Sequence, residues 1–315
     1  MKLRANLLML VVVAVWGSTF VVVKGALADA TPAAFNLARM TLAFVVLGVA
    51  YHRYWREIRR WQVAAGAIVG LFLAIGYQFQ TTGLARTTPS KSAFITGLMV
   101  VMVPLLSTIP GLRVPGSRLP GWNAFVGAGL AFIGIVLLTA PATTLAEGPT
   151  SLQNQAAHLL PDMSSINLGD VLTLGCAVGF AFYCLALSHV SPRIGFQPLA
   201  LLQVGFCVLF MALSLPLIEH PQIAWTPRVI AALGISAVIC TAVALSVQSW
   251  AQSVLPPTHI ALLLTMEPVF AWITSYLVLG ERLGSRPACG ALLILAGIAL
   301  TELMPQPYLV TAHEA

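Results

Sequence analysis

Ten runs of almost unbroken apolar residues follow one another along the chain, at about 5–26, 33–52, 62–84, 90–110, 121–140, 169–190, 197–218, 228–250, 257–279 and 286–304. The breaks between them hold Pro, Gly, Asp or Arg, as in Ala28-Asp29-Ala30-Thr31-Pro32 and Gly111-Leu112-Arg113-Val114-Pro115-Gly116. About 20 apolar residues cross a bilayer as an α-helix. Lipid offers backbone groups no other partner, so runs of this length are predicted to be helices. The alternating strand pattern of a closed β-barrel is absent. The first run has the outline of a secretory signal, with Lys2 and Arg4 ahead of it and Gly17-Ser18 as a cleavage-like region. Its apolar character resumes from Phe20 to about Ala26, which predicts an uncleaved first helix.

One connection is long. Residues 141–168 carry Glu147 and Asp162 but no Lys or Arg, and they divide the runs five and five. Gly127-Ala-Gly-Leu-Ala-Phe-Ile-Gly134-Ile-Val-Leu137 and Gly290-Ala-Leu-Leu-Ile-Leu-Ala-Gly297-Ile-Ala-Leu300 agree at six of eleven positions, 163 residues apart. Ala14-Val15 meets Ala177-Val178 at that offset, and Phe20 meets Tyr183. An odd number of helices per copy sets the second copy upside down in the membrane, the ground plan of many secondary transporters. The expectation is an all-α membrane protein of ten transmembrane helices, built as two inverted five-helix repeats around a central cavity. The divisions are a first repeat over 1–140, a non-cytoplasmic linker over 141–168, a second repeat over 169–304 and a cytoplasmic tail over 305–315.

Composition narrows the class. The chain has 315 residues, 58% hydrophobic and 8% charged, with a mean hydropathy of +0.90. Soluble domains carry about a quarter charged residues, so a soluble enzyme, a disordered chain and a nucleic-acid binder are excluded. The net charge of +6 sits in short loops, where it orients the chain in the bilayer and does not form a polyanion-binding face. With the N-terminus inside, the first half places Lys2, Arg4, Arg53, Arg56, Arg59, Arg60, Arg113 and Arg118 on the cytoplasmic side against Lys24, Arg86 and Lys91 outside. The second half runs weakly the other way, and both termini are expected inside. Cys176, Cys184, Cys207, Cys240 and Cys289 all lie in apolar runs with no metal or redox spacing. The Walker, HExxH, GxSxG and dinucleotide motifs are missing, so no metal, cofactor or hydrolytic centre is expected.

What remains is a sparse polar set inside helices. Arg39 lies a turn or two into the second run and Glu267 near the middle of the ninth. A charge at the bilayer centre costs about 2.5–3.5 kcal/mol and normally faces a cavity or a partner. Arg39 is then a contact for a substrate carboxylate, or one half of a helix–helix ion pair, or a snorkelling cation. Glu267 meets an amine, carries a coupling proton, or pairs. Pro268 and Pro104 each withhold a backbone donor, which predicts kinks at the carbonyls of Leu264 and Val100. Tyr77, Gln80 and Thr81 share a helical face. With Trp16, Ser18 and Thr19 they either line an aqueous cavity or act as interhelical glue. Trp55, Trp61 and Trp122 read as interface anchors, and Gly66-x-x-x-Gly70 and Gly175-x-x-x-Gly179 as close helix crossings.

The strings Ala14-Val-Trp-Gly-Ser-Thr-Phe20, Asn36-Leu-Ala-Arg39, Thr88-Pro-Ser-Lys-Ser-Ala-Phe-Ile-Thr-Gly97, Glu267-Pro-Val-Phe-Ala271 and Leu279-Gly-Glu-Arg-Leu283 resemble the EamA family of the drug/metabolite transporter superfamily. The resemblance covers nearly the whole chain. It implies a ten-helix carrier of a bacterial inner membrane, often exporting amino acids, related metabolites or toxic organic compounds from a cavity open to one side at a time. It points to Trp16, Ser18, Arg39, Glu267 and Pro268, with Tyr183 and Gln203 as counterparts of Phe20 and Arg39. Many members have a proline where this chain has Val101, and here Pro104 stands one turn later.

The candidate substrate-binding set is Trp16, Ser18, Thr19, Arg39, Tyr77, Gln80, Thr81, Tyr183, Gln203 and Gln248, with Glu267, Pro268 and Pro104 as coupling or gating positions. The leading expectation is a secondary or facilitative carrier moving a small organic solute by alternating access, amino acids first. Its partners are the solute, the lipid bilayer and protons as a coupling ion. The rivals are a multidrug or organic-cation exporter of the same fold, an integral-membrane enzyme acting on a lipid carrier, and a structural subunit with no flux.

Overall fold

The apolar runs fold as helices because a chain surrounded by lipid has nowhere else to satisfy its backbone. The computed structural model describes residues 2–113, 121–139, 167–255, 260 and 263–303. In order these form α1 (Lys2–Ala26), α2 (Pro32–Ala50), a 3₁₀ segment (His52–Glu57), α3 (Arg60–Arg86), α4 (Pro89–Gly97), α5 (Met99–Leu106), α6 (Trp122–Thr139), α7 (Leu168–Val190) and α8 (Phe196–Ile218). They continue with α9 (Pro227–Gly234), a π-helical stretch (Ile235–Val243), α10 (Ala244–Val254), α11 (Glu267–Leu279) and α12 (Ser285–Leu303). The described residues form no strand beyond a single bridge between Ala30 and Ile223. Most of the 141–168 linker and the 305–315 tail lie outside the described residues. Seven helical spans are long and apolar enough to cross a membrane, and three shorter apolar helices accompany them. The chain is a multi-pass membrane protein.

Helix boundaries follow local chemistry. Pro32, Pro89 and Pro227 open α2, α4 and α9, where a missing N–H costs nothing. The Thr88 and Thr226 hydroxyls accept from the backbone of Lys91 and Val229, capping donors that the helix leaves free. Gly280 ends α11 at φ 67°, a left-handed conformation that a side chain would strain.

Of the two kinks expected from proline, the one ahead of Pro268 falls in the expected turn and the one ahead of Pro104 does not. The interruption in the fourth run lies at Leu98, between α4 and α5, while Pro104 sits inside α5. The ninth run is interrupted at Thr265 and Met266, and α11 begins at Glu267 itself. Glu267 and Pro268 are thus the first residues of a helix and not the middle of one. There Pro268 breaks no internal bond, and the Glu267 carboxylate sits at the positive end of the α11 dipole. The two interrupted helices meet: a methyl group added at Gly97 would lie 3.6 Å from Pro268 Cγ.

Helices of the first half pack on helices of the second. α6 lies along α12, α3 along α7 and α8, α1 along α11, α10 and the π stretch, α2 along α8 and the π stretch, and α4 and α5 along α7. Glycines set the closest crossings. A Cβ at Gly17 would fall 2.6 Å from the Glu267 carbonyl, and one at Gly70 would fall 2.7 Å from that of Gln203. Across α6 and α12 the contacts are reciprocal: Gly134 faces Gly290 and Gly127 faces Gly297.

Polar contacts identify which helix ends share a side. Lys24 at the end of α1 donates to the carbonyls of Leu84, Ala85 and Thr87, at 2.8, 3.0 and 2.9 Å. Thr87 donates to Asp170 at 2.5 Å, Asp29 lies 4.0 Å from Arg228, and Ser90 donates to Glu281 at 2.9 Å. That side therefore holds Lys24, Arg86, Lys91, Arg228 and the acids Asp29, Asp170 and Glu281. Arg53, Trp55, Arg56 and Arg59 lie in the segment between the opposite ends of α2 and α3, and Arg60 and Trp61 open α3.

Candidate functional site

A cavity runs between the halves, lined by residues of α1, α2, α3, α4, α5, α7, α10 and α11. It leaves about 60 Å³ open to the centres of water molecules, enough for a few waters at roughly 10–15 Å³ each. Of the sequence-derived candidates, Trp16, Thr19, Arg39, Tyr77, Gln80, Thr81, Tyr183, Gln248 and Glu267 line it. Phe20, Leu73, Phe180 and Leu245 supply apolar wall. Ser18, Gln203, Pro104 and Pro268 are not part of the lining. Ser18 bonds the Ala14 carbonyl at 2.9 Å and meets the Thr274 hydroxyl at 3.1 Å, tying α1 to α11. Gln203 is fully buried behind Tyr183, and Pro104 is half-buried in α5.

The first half contributes a charged cluster. Arg39 is 4% exposed, and its Nε donates to the Thr241 hydroxyl at 2.9 Å. Its guanidinium carbon lies 4.5 Å from the centroid of the Tyr77 ring, and Nη2 reaches the Tyr77 hydroxyl at 3.4 Å. Asn36 supports this face from behind. Its amide donates to the Tyr77 carbonyl and to Gln78 Oε1, both at 2.9 Å, and accepts from Thr81 at 2.9 Å. A charge-assisted hydrogen bond and a cation–π contact, about 1.5–3 and about 2 kcal/mol, are enough to hold a buried guanidinium. Neither neutralises it. Among the described residues Arg39 forms no ion pair, and neither does Glu267. The helix–helix ion pair that the sequence leaves open is therefore not formed between them.

The second half contributes a neutral cluster. The Tyr183 hydroxyl lies 3.1 Å from Gln203 Oε1 and 3.3 Å from Gln248 Oε1, so its one proton is shared between two acceptors. Gln203 Nε2 reaches the Ser249 hydroxyl at 3.5 Å. Phe180 joins the clusters, with edge-to-face contacts at 5.2 Å to Tyr77 and 6.3 Å to Tyr183. On α1, the Trp16 indole donates to the Cys240 carbonyl at 2.8 Å and the Thr19 hydroxyl to the Trp16 carbonyl at 2.5 Å.

Next to the cavity lies a vestibule of about 590 Å³, lined by Lys24, Arg86, Lys91, Asn167 and Glu281 among others. Val23 and Leu84 of the cavity wall adjoin Lys24 and Ala85 of the vestibule. Between α4, α7 and α11 the vestibule is laced by charge: Lys91 stands 3.9 Å from Asp170, and Glu281 accepts from both Ser90 and Ser275. Sequence reading assigns no role to Asn36, Thr241, Phe180, Lys24, Asp170 or Glu281. Asn36 and Glu281 lie within quoted strings and Lys24 enters the charge count, whereas Thr241 is a lone hydroxyl in an apolar run and carries no hint.

The family model for EamA-like transporters matches the chain twice, over residues 3–140 and 167–303. Two proteins of Archaeoglobus fulgidus, each named as an uncharacterized transporter, are similar over nearly the full length. One is 30% identical over 302 residues, covering 96% of this chain and 87% of its own. The other is 24% identical over 311 residues, covering 96% of this chain and 98% of its own. A solved crystal structure superposes with a TM-score of 0.62 over 96% of this chain and 98% of its own, at 19% identity, which is a likeness of fold.

Proposed function

The chain belongs to the EamA-like transporter family, and from that premise we propose that it is a secondary carrier of neutral amino acids working by alternating access. The observation that carries this reading is the pairing of Arg39 and Glu267 on one cavity, each without an ionic partner among the described residues. A fixed cation and a fixed carboxyl in one apolar site complement the carboxylate and ammonium of a zwitterion, while Phe20, Leu73 and Phe180 suit an apolar side chain. A buried Arg39 disfavours an organic cation as cargo. The cavity as it stands holds only a few waters, so carriage requires it to widen.

In this reading the two matched segments are five-helix repeats related by a two-fold axis in the membrane plane, with repeats at 1–140 and 169–304, the 141–168 linker outside and the 305–315 tail inside. Reciprocity supports it. Gly127 and Gly290 are equivalent by sequence, as are Gly134 and Gly297, and in space each partner touches the other's equivalent in opposite helix directions. Exchanging the halves likewise turns the α3–α7 contact into α1 against the π stretch and α10. The shorter helices α6, α11 and α12 complete ten crossings. The arginine-rich loop over 53–60 supports a cytoplasmic N-terminus in the cytoplasmic membrane, and Glu267 is the residue for a coupling proton.

Counterflow in proteoliposomes tests the proposal. Vesicles loaded with unlabelled L-phenylalanine are expected to accumulate labelled L-phenylalanine transiently. Folded protein that counterflows an organic cation such as tetraphenylphosphonium, or nothing, would overturn it.

A further inference from the structure

Thr241 lies in a part of the chain that departs from α-helical register. Ile235–Val243 is π-helical, whereas α3, which occupies the corresponding place in the first matched segment, runs from Arg60 to Arg86 with no such interruption. A π turn widens the helix by bonding five residues back, and it persists only where something else repays the poorer geometry. Two side chains from the first half converge on this one. Trp16 donates to the carbonyl of Cys240 at 2.8 Å, and Arg39 Nε donates to the hydroxyl of Thr241 at 2.9 Å.

The hydroxyl has a fixed role in that contact. Thr241 Oγ1 spends its proton on the Ser236 carbonyl, five residues back, at 2.8 Å. In an ordinary helix a threonine hydroxyl bonds three or four residues back, so the wider turn sets its direction. With its proton committed, the oxygen can only accept, and the group it accepts from is Arg39 Nε. That leaves Nη1 without a protein partner among the described residues and Nη2 with one long contact to Tyr77.

We propose that Thr241 is the positioning residue for Arg39: the π turn presents its oxygen as a neutral acceptor that clamps Nε and turns the Nη edge of the guanidinium toward the cavity. An acidic clamp would hold the guanidinium as firmly but cancel the charge that a carboxylate needs, and a clamp at the Nη edge would occupy the atoms that form a bidentate pair. The inference rests on the reading of Arg39 as the carboxylate contact. It adds which residue sets the geometry of that contact.

Two readouts test it, one with a solute and one without. For L-phenylalanine counterflow, Thr241→Val keeps the shape and removes the acceptor, and is expected to raise KM about tenfold with the maximal rate within about twofold. Thr241→Ser restores the acceptor and is expected to restore KM. In protein labelled with ¹⁵N-arginine, the Nε–H resonance that disappears in Arg39→Gln is expected to be protected from solvent exchange in the wild type and in Thr241→Ser, and unprotected in Thr241→Val. Arg39→Gln abolishing transport while Thr241→Val matches the wild type in both readouts would overturn the positioning role and leave the Arg39 reading standing. Arg39→Gln with unchanged KM would overturn the Arg39 reading and the inference with it. A Thr241→Val variant that lowers the maximal rate and thermal stability at constant KM, with Nε–H still protected, would reduce Thr241 to packing.

Discussion

Two polar clusters line the cavity, each centred on a tyrosine from a different matched segment, and they differ in charge. Each has a buried tyrosine, Tyr77 or Tyr183, edge-on to the same Phe180, and each is supported by a residue of the second helix of its half, Arg39 or Gln203. On the first face that residue is a cation stacked on the tyrosine and held by neutral groups, so no ionic partner among the described residues neutralises its charge. On the second face the amide turns inward, and Tyr183, Gln203, Gln248 and Ser249 largely satisfy one another. Of these two clusters only the first carries a charge, and the second is a hydrogen-bonding surface; the cavity's other ionisable group, Glu267, stands apart on α11.

Making the first wall neutral like the second is the severest way to break this asymmetry. Arg39→Gln is expected to lower kcat/KM for L-phenylalanine counterflow roughly 100-fold, the equivalent of about 3 kcal/mol for a lost charge-assisted contact. Glu267→Gln comes next: accumulation driven by an imposed proton gradient should be lost, while exchange without a gradient continues at a raised KM, the ammonium having lost its carboxyl partner. Unchanged gradient-driven accumulation in this variant would remove Glu267 from coupling. On the neutral wall Tyr183→Phe leaves two amide oxygens without their shared donor, and a three- to tenfold rise in KM is expected from about 1 kcal/mol. Outside the lining, Ser18→Ala removes one interhelical contact worth about 0.6 kcal/mol. Thermal stability in detergent should fall slightly, with KM unchanged; a KM effect as large as that of Tyr183→Phe would put Ser18 back in the site.

The sequence makes the helices legible and their rotations obscure. Prolines at 32, 89 and 227 and the polar breaks place most helix ends within a few residues, because lipid leaves the apolar runs a single backbone solution. Periodicity, however, needs a polar side, and a helix wrapped by other helices and lipid shows almost none. Hence Ser18, two residues from Trp16 in a string read as one site, faces Thr274 and not the cavity, and Gln203 lies behind Tyr183. The proline rule locates the interruption at Thr265 and Met266, ahead of Pro268, but not the one at Leu98: it marks where a backbone donor is missing, whereas Leu98 lies where α4 meets α11. The π turn at Thr241 has no sequence signature at all, since its support comes from Trp16 and Arg39, more than 200 residues away. Lys24, Asp170 and Glu281 are visible as charges, but their assembly around the vestibule requires the ends of α1, α3, α4, α7 and α11 to be brought together.

A carrier must expose one cavity to both faces of the membrane, and Cys184 in the cavity wall offers a native probe. With Cys176, Cys207, Cys240 and Cys289 replaced by alanine, Cys184 is expected to react with a membrane-impermeant thiol reagent applied to right-side-out vesicles and, separately, to inverted ones. L-phenylalanine should slow the reaction from both sides. Labelling from one side only, under conditions where the same protein carries out counterflow, would contradict alternating access through this cavity.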